Sequence, residues 1–493
     1  MSEKIKQPIF LKIKKKWIRS KPTTILTVLI LIALFLALNL WIQNIDLAQI
    51  DVTENKVYSL TDSSKKEIAN IDKDIKLYAY GYTEDSSLVD LLKQYCRENE
   101  HITYEILTQE SNKEKVEKYS LSEEYPVVIV EVGEASTMID GQSEFYSYDY
   151  TTGQEVDLTE QKITNAILNL IIKDKPKVYI LTGHGEYQES EMTVLTMYLG
   201  NEAYEYETIN LLTQSAIPED CSVLLIMSPT SDLLENETNM ILDYINNGGN
   251  IIYAKDTEEN GKTYPNYKKI LDCYGLEVVN GYVYETNSNN TVPGYPNIVM
   301  PQIYGYSDIT SELYSDGGYL LFAYAQKVLK ADEETASSLN VEYESLLSSS
   351  EDSYYVKDVS TNISAVTSTA EKGSSELAVL ATKTINPDAE QSEQKKSKIL
   401  VVGNSLFISD TVISVVSQYY PISYIGNNKD FMLNSIAHLT DRTDTLIIRK
   451  EMNTSTYEPT QTQDNIVKLI IFGIPIVIII AGIVIWNRRK KKR

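Results

Sequence analysis

Residues 176–190 read PKVYILTGHGEYQES, and this stretch decides the fold. Val178–Leu181 is a short apolar run that stops at the segment TGHGE, the pattern of a buried strand that ends in a glycine loop. Two glycines allow the backbone to turn tightly, and we expect a helix after the turn. His184 and Glu186 are therefore predicted at the carboxyl end of a strand, where open α/β sheets bind their ligands.

The same alternation of strands and helices continues along the chain and predicts βαβ units that form a parallel sheet. We assign residues 176–450 to this central α/β domain, with an insertion at about 258–397 that has tyrosine-rich and acidic, serine-rich stretches. We expect the insertion to be partly ordered or to form a β-rich lobe. The predicted strands are Val178–Leu181, Tyr204–Ile209, Ser222–Met227, Asn250–Ala254, Leu276–Val279, Lys398–Val402 and Leu446–Arg449. The predicted helices are Glu189–Leu199, Leu233–Ile245, Tyr267–Tyr274, Asp410–Gln418 and Lys429–Leu439.

A smaller α/β domain is predicted at residues 50–173, in front of the central domain. Its strands and helices alternate in a thioredoxin-like layout, but it has no CxxC motif, so redox chemistry is not supported. Thr61 is suited to cap a first helix, and apolar residues at helical spacing predict a closing helix over Asp157–Ile172. Asp157 and Glu160 resemble a capping box at the start of that closing helix.

Both ends of the sequence have the pattern of membrane-spanning helices. Residues 22–41 carry no charge, and at about 1.5 Å per residue they span about one bilayer; a second uncharged run ends at Trp486. Basic residues lie on the terminal side of each run, which places both termini in the cytoplasm by the positive-inside rule. A cleaved signal peptide is the alternative for the first run, but the run exceeds the roughly 7–15 apolar residues of such a peptide. We therefore predict a protein of the bacterial cell membrane. It begins with a cytoplasmic basic arm (1–21) and a transmembrane helix (22–43), and it ends with a second transmembrane helix (466–486) and a cytoplasmic basic tail (487–493). The region between the helices (44–465) is predicted to be extracytoplasmic and ends in a polar linker (451–465).

The region between the two predicted helices is strongly acidic. The chain has 45 basic and 69 acidic residues; 15 of the basic residues but only one acidic residue lie at the ends, which leaves 30 basic and 68 acidic residues between them. Such a surface repels nucleic acid and anionic lipid, so no nucleic-acid partner is predicted. A solvated acidic exterior accounts for the charge, and a cationic partner is the alternative.

Several motifs of catalysis and binding are absent from the sequence. There is no GxxxxGK[ST] phosphate loop, so an ATP-driven role requires another subunit. There is no GxSxG or Gx[CS]xG nucleophile elbow, and neither HxxxH nor HExxH occurs, so we predict no metal and no cofactor. Three cysteines are too few for a disulfide scaffold in so long a chain, and pairing of Cys221 with Cys273 stays open.

Four of the predicted strands end in loops that carry polar groups, and in a parallel sheet such loops meet at one edge. Their side chains would line a single crevice. A histidine beside acidic and hydroxyl groups suits acid–base or nucleophilic chemistry, whereas a structural role would have His184 cap the next helix or bond to a neighbouring strand. We predict no catalytic residue here. The candidate ligand-crevice residues are Gly183, His184, Gly185, Glu186, Ser228, Asp256 and Asn404.

Ordered motifs run through most of the region between the membrane segments. They are DVTENKVYSLTDSSKKEI, PKVYILTGHGE, SVLLIMSP followed by NNGGNIIYAKD, and KILVVGNSLFISD with FMLNSIAHLTDR. In this order they resemble the GldG-like family of auxiliary subunits of ABC-2-type transporters, known from the gliding-motility apparatus. The resemblance implies a separate ATP-binding subunit, a polytopic ABC-2-type permease and a central domain similar to class I glutamine amidotransferases and ThuA-like proteins. The cysteine elbow that this fold uses for amide hydrolysis is missing, so that activity is not implied.

The expected fold class is α/β. It comprises an extracytoplasmic parallel-sheet, class I glutamine amidotransferase-like domain and a smaller N-terminal α/β domain, flanked by two single transmembrane helices. We expect a non-catalytic, membrane-anchored auxiliary subunit of an ABC-type transporter whose ectodomain binds substrate or envelope partners. One alternative is an extracytoplasmic glycan-binding or glycan-processing protein that uses the crevice at His184 and Glu186. The other is a membrane-tethered scaffold without a ligand.

Overall fold

The computed structural model describes residues 60–442, apart from 111, 123–124, 150–153, 173, 259–261, 358–365 and 418, together with the single residues 33 and 484. The predicted membrane segments, the basic arm and tail, the polar linker and the strand predicted at Leu446–Arg449 all lie outside the described residues. Among the residues that are described, no helix is both long and apolar enough to cross a bilayer. All elements below belong to one compact unit, Thr61–Thr454.

The first part of this unit is a small sheet with helices. Its elements are α1 (Asp62–Ala69), β1 (Ile75–Tyr80), α2 (Ser87–Glu98), β2 (Ile102–Leu107), α3 (Lys113–Lys118), β3 (Val127–Val132), β4 (Ala135–Asp140), β5 (Tyr146–Asp149), β6 (Gln154–Asp157) and α4 (Thr159–Ile171). Four strands form a sheet in the order β2-β1-β3-β4, in which β1 and β2 are parallel and the other pairs antiparallel. Strands β5 and β6 pair with each other. The elements therefore follow the predicted alternation.

The start of α4 differs from the prediction. Asp157 accepts a hydrogen bond from the backbone N–H of Thr159 at 2.8 Å, but Glu160 does not complete a capping box. Its buried carboxylate instead accepts the N–H of Thr61 at 2.8 Å and the Thr61 hydroxyl at 2.7 Å. The hydroxyl of Ser64 donates to it as well. Glu160 thus joins α4 to the start of α1, a contact between residues about a hundred positions apart that no local pattern reveals.

The second part of the unit is a larger α/β assembly. Its helices are α5 (Thr193–Asn201), α6 (Glu235–Asn246), α7 (Pro265–Asp272), α8 (Ser311–Ser315), α9 (Glu333–Leu339), α10 (Val366–Thr369) and α11 (Asn428–Leu439), with short 3-10 turns at Glu189–Glu191, Leu211–Thr213, Gln391–Glu393, Leu406–Ile408 and Ile422–Tyr424. Its strands are β7 (Lys177–Leu181), β8 (Glu205–Ile209), β9 (Cys221–Met227), β10 (Asn250–Ala254), β11 (Leu276–Val279), β12 (Tyr282–Tyr284), β13 (Thr291–Val292), β14 (Tyr295–Val299), β15 (Gln302–Ile303), β16 (Phe322–Ala323), β17 (Lys327–Lys330), β18 (Val341–Ser348), β19 (Tyr354–Val356), β20 (Glu371–Lys372), β21 (Glu376–Thr384) and β22 (Lys396–Val402).

Eight of these strands form one sheet in the order β15-β18-β21-β22-β10-β9-β7-β8. Strands β22, β10, β9, β7 and β8 are parallel to one another, as predicted, whereas β21, β18 and β15 each pair with their neighbours in antiparallel fashion. The remaining strands form small sheets: β11-β17, β12-β19-β20 and β13-β14-β16. The domain is thus mixed α/β with a parallel core.

Alternate side chains of the central strands enter two hydrophobic cores. In β10, Ile252 packs into the core that α5 and α11 cover, and Ile251 packs into the core that α6 and α7 cover. The same alternation holds in β9, where Leu225 and Leu224 enter opposite cores. A sheet that is covered on both faces explains why its strands are continuous apolar runs.

The segment 258–397 is not a separate lobe. It supplies the three antiparallel strands β15, β18 and β21 of the main sheet. Its serine-rich part is well bonded: the N–H and hydroxyl of Ser350 donate to the buried carboxylate of Glu285 at 3.0 and 2.7 Å. Strand β11, predicted here as part of the parallel alternation, pairs with β17 instead, because β9 and β22 already occupy both sides of β10.

The helix predicted at Asp410–Gln418 is wrong. The described residues of this stretch form bends, a turn and a single bridge between Val412 and Pro421. The run TVISVV is dominated by β-branched side chains, which lose rotamer freedom in a helix. Asp410 caps α5: its carboxylate accepts the N–H and hydroxyl of Thr193 at 2.7 and 2.6 Å and the N–H of Val194 at 3.3 Å.

Replacing Asp410 with alanine is expected to lower the free energy of unfolding by about 0.5–2 kcal/mol, because the first turn of α5 loses its cap. Asp410→Asn keeps an acceptor oxygen and is expected to lose less. Urea unfolding of the full-length chain measures both changes. Asp388→Ala, in an exposed turn, is the control, and equal stability of Asp410→Ala and Asp388→Ala would contradict the capping role.

Candidate functional site

The four loops that the sequence predicts to meet do meet at the carboxyl edge of the parallel strands. The N–H of Thr230, after β9, donates to the carbonyl of His184, after β7, at 2.9 Å. The hydroxyl of Tyr187 donates to Asp256, after β10, at 2.7 Å. The N–H of Ser405, after β22, donates to the same carboxylate at 2.7 Å. The loops are therefore bonded directly to one another.

Two glycines give the loop after β7 its shape. Gly183 has φ +121° and Gly185 has φ +77°, conformations that residues with a side chain rarely adopt. A Cβ on Gly185 would lie 1.9 Å from the hydroxyl oxygen of Thr230. Gly185 is thus required both by its backbone angles and by the close approach of the neighbouring loop.

The loop turns His184 and Glu186 inward, where they form a buried polar network with Glu237 and Tyr267. Nε2 of His184 lies 3.0 Å from Oε2 of Glu237 in α6. Oε2 of Glu186 accepts the N–H of His184 at 2.7 Å, and Oε1 accepts the hydroxyl of Tyr267, in α7, at 3.0 Å. Glu237 also accepts the N–H of Leu234 at 2.8 Å. Burial, together with the nearby Glu186 carboxylate, raises the pKa of Tyr267 far above its ordinary value, so the hydroxyl keeps its proton and donates.

The ionisable groups of this network are enclosed by protein. His184 is 5 % exposed, Glu186 2 % and Glu237 0 %, so a substrate has no access to them. The two carboxylates approach different ring nitrogens, at 3.0 Å for Glu237 and 3.5 Å for Glu186, and so do not converge on one ion. Within the described part of the chain, no group of three or more metal-ligating side chains is suited to hold a metal.

Asp256 is the centre of a second network. Besides Tyr187 and the N–H of Ser405, it accepts the hydroxyl of Ser405 and the N–H of Leu406, the latter at 3.1 Å. Burial, followed by the effect of the Asp256 carboxylate, raises the pKa of Tyr187 well above its ordinary value. All of these contacts hold loops in place.

The other two predicted residues are buried as well. Asn404 is 1 % exposed; its amide donates to the carbonyl of Ala323 at 2.7 Å, and its side-chain oxygen accepts the N–H of Phe407 at 3.0 Å. Ser228 is 7 % exposed and has φ +53°. The structure thus brings the seven predicted residues to one edge but bonds the polar side chains of His184, Glu186, Asp256 and Asn404 to neighbouring protein groups.

The cysteines offer no activated thiol among the described residues. Cys96, Cys221 and Cys273 are all free, so the possible Cys221–Cys273 pair is not formed. Burial raises the pKa of Cys221 to about 11 and also raises that of Cys273. A nucleophilic cysteine requires the opposite shift.

An open cavity of about 350 Å³ lies beside these networks. None of the seven predicted residues lines it, but Tyr267 lines it while bonding to Glu186. Lys255 is the lining residue that directly precedes the predicted Asp256. The aromatic and polar residues that line the cavity are Tyr253, Lys255, Glu258, Lys262, Thr263, Tyr264, Tyr267, Lys268, Glu277, Asn280 and Gln326.

Sequence patterns do not identify this cavity. The apolar spacing predicts Tyr267 only as a helical residue, and its contact with Glu186 spans 81 positions. Glu237 lies 53 positions from His184. The one available signal is local: the NIIYAKD segment ends β10 with a lysine next to the predicted Asp256.

Comparisons with known proteins give one family. A family model described as an ABC-type uncharacterized transport system matches residues 175–435, a little over half of the chain. No curated protein matches.

Solved structures similar to this chain include the mmIFT52 N-terminal domain, at 14 % identity, with 53 % of this chain and 97 % of that chain covered and a TM-score of 0.37. A ThuA-like protein from Bacteroides uniformis ATCC 8492 is 12 % identical over 54 % of this chain and 91 % of its own, with a TM-score of 0.31. A GMP synthase-type protein from Thermoplasma acidophilum is 9 % identical over 55 % of this chain and 97 % of its own, with a TM-score of 0.29. At these TM-scores the similarities support no conclusion about function.

Gly185→Ala is expected to destabilise the chain more than Gly294→Ala does. Both glycines have positive φ, +77° and +84°, so each substitution costs about 1–2 kcal/mol of backbone strain. Nothing lies within 4 Å of a Cβ on Gly294, whereas a Cβ on Gly185 displaces Thr230. Urea unfolding compares the two variants. Thr230→Ala should restore part of the loss in Gly185→Ala, and equal losses at the two glycines would refute the packing argument.

Proposed function

The chain belongs to a family of auxiliary components of ABC-type transport systems, and on that premise we propose that it is a membrane-anchored auxiliary subunit of such a transporter. It works with a separate ATP-binding subunit and an ABC-2-type permease. The absence of a GxxxxGK[ST] phosphate loop from the sequence supports a separate ATP-binding subunit, because this chain cannot hydrolyse ATP with such a loop.

Two apolar segments anchor the subunit in this proposal. The runs within 22–43 and 466–486 are long enough to span a bilayer, and the basic residues at both ends favour cytoplasmic termini. Residues 44–465 then lie outside the cytoplasmic membrane. The strong acidic excess of this region fits an exposed ectodomain that keeps away from anionic lipid headgroups.

The ectodomain acts by binding and not by catalysis. The observation that carries this part is the burial of His184, Glu186 and Glu237, whose bonds go to backbone N–H groups, to Tyr267 and to one another. The residues with the chemistry of acid–base catalysis are therefore used to hold the sheet edge closed. A ligand or an envelope partner binds at the outer surface of this edge, and the loops that meet there position its residues.

Affinity purification of the full-length tagged chain from detergent-solubilised membranes, followed by mass spectrometry, tests the proposal. We expect an ATP-binding protein with a phosphate loop and a polytopic permease to be recovered together, in amounts similar to that of the tagged chain. Membranes from cells with the untagged chain are the control. Consistent recovery of neither partner above that control would refute the assignment.

A further inference from the structure

We propose that the cavity beside α7 binds a small organic anion that also carries hydroxyl groups, the chemistry of an acidic monosaccharide. This inference deepens the proposed function and rests on its claim that the ectodomain binds a ligand for the transporter. The cavity lies at the carboxyl edge of β10, where ligands of parallel sheets bind. Its volume, about 350 Å³, is at the small end of ligand pockets, which suits one ring rather than a polymer.

Three tyrosine rings form a continuous aromatic wall. The ring centroids of Tyr253 and Tyr267 are 5.7 Å apart, and those of Tyr264 and Tyr267 are 6.3 Å apart. Aromatic faces provide apolar contact, while two of the tyrosine hydroxyls are already bonded: Tyr267 donates to Glu186 and Tyr264 to Glu258. The rings are inclined to one another by 46° and 62°, and Tyr253 and Tyr267 are only 4 % and 1 % exposed. The half-buried Tyr264 is therefore the ring that offers apolar surface to a ligand.

The lysines of this cavity stand out in their acidic surroundings. Three lining residues are lysines, Lys255, Lys262 and Lys268, whereas the stretch 178–254 contains no lysine or arginine at all. Lys255 is 7 % exposed; its ammonium donates to the carbonyl of Pro229 at 2.7 Å and to Glu258 at 2.6 Å. A buried lysine held in this way fixes a positive group in the wall.

The side chain of Lys262 is exposed and can receive an anion. Its ammonium donates to the carbonyl of Thr230 at 3.0 Å, and no carboxylate of the described residues lies within 4 Å of it. An ammonium has three donors, so two remain for a ligand. Lys268, in contrast, pairs with Asp272 within α7.

Gln326 adds a hydrogen-bond acceptor to the lining. Gln326 lines the cavity and is 2 % exposed; its amide N–H donates to Asn280 at 3.1 Å, while its side-chain oxygen is buried without a hydrogen-bond partner among the described residues. A buried acceptor favours a ligand that supplies a donor. Lys262 and Gln326 together therefore select a ligand with both an anionic group and hydroxyls.

The other cavity near the glycine loop lacks this combination. It measures about 460 Å³ and is lined by side chains such as Thr182, Gln188 and Thr208, with no aromatic or basic residue among those lining it. It offers nothing that would select an anion. Of these two cavities, the one beside α7 has both aromatic and basic residues in its lining.

Isothermal titration calorimetry on the purified full-length chain tests the proposal with four probes that share one sugar ring. D-glucuronate and D-glucose 6-phosphate carry an anion, D-glucose is neutral and D-glucosamine is cationic. We expect at least one anionic probe to bind about tenfold or more tightly than glucose, since a charge-assisted hydrogen bond is lost in the neutral sugar. Tighter binding of glucuronate assigns a carboxylate ligand, and tighter binding of glucose 6-phosphate a phosphate ligand.

A matched pair of variants locates the binding. Lys262→Gln is expected to weaken the anionic probe about tenfold and to leave glucose unchanged. Lys269→Gln, in α7 but outside the lining, should leave both affinities unchanged. Failure of all four probes to bind, glucosamine binding as tightly as the anions, or equal affinities of the two variants would each overturn the proposal.

The result is independent of the transporter partners, because the titration uses the chain alone. A chain that recovers an ATPase and a permease but binds no anion refutes the ligand class and leaves the proposed function standing. A chain that binds the anion but recovers neither partner refutes the transporter role and leaves the cavity assignment standing.

Discussion

The buried Glu186 carboxylate is the contact on which this edge of the domain depends. It accepts the N–H of His184 at 2.7 Å and the hydroxyl of Tyr267 at 3.0 Å, and His184 in turn reaches Glu237 at 3.0 Å. One loop is thereby joined to α6 and to α7, the two helices that cover one face of the sheet. Charged groups in such a place are stable only with partners, so the loop, the helices and the strand must hold their positions together.

Closure of the edge by polar contacts also sets where a ligand can enter. Asp256 bonds to both Tyr187 and Ser405, and the Thr230 loop bonds to His184, so the loops after the parallel strands are held against one another. The cavity of about 350 Å³ lies to the side of β10 and is lined by Lys255 and by residues of α7. Because Tyr267 belongs both to the buried network and to the cavity wall, the network that closes the edge also positions the aromatic surface beside it.

The local sequence pattern is sufficient to predict the parallel core of the sheet and the glycine loop after β7. Apolar runs such as SVLLIM identify strands that are buried on both faces, and Gly185 indicates a turn with positive φ. The predictions that fail concern residues whose bonding partners are distant in the sequence. The spacing of Glu160 fits a local capping box, but its carboxylate bonds to Thr61 at the start of α1. The helix predicted at 410–418 is not formed by this β-branched run, and Asp410 caps α5. Likewise the crevice residues are predicted at the correct edge of the sheet. Their partners Glu237 and Tyr267, which bond to His184 and Glu186, cannot be predicted from the sequence around residue 184.

The central claim is that the loop after β7 is a closed structural element and not an open active site. Hydrogen–deuterium exchange of the full-length chain, read on peptides that cover residues 182–187, tests it most directly. The amides of Thr182, His184 and Tyr187 are all hydrogen-bonded, so the account predicts slow exchange that becomes faster in Tyr267→Phe. Exchange at the rate of an exposed loop in the unaltered chain, or rates that Tyr267→Phe leaves unchanged, would contradict it.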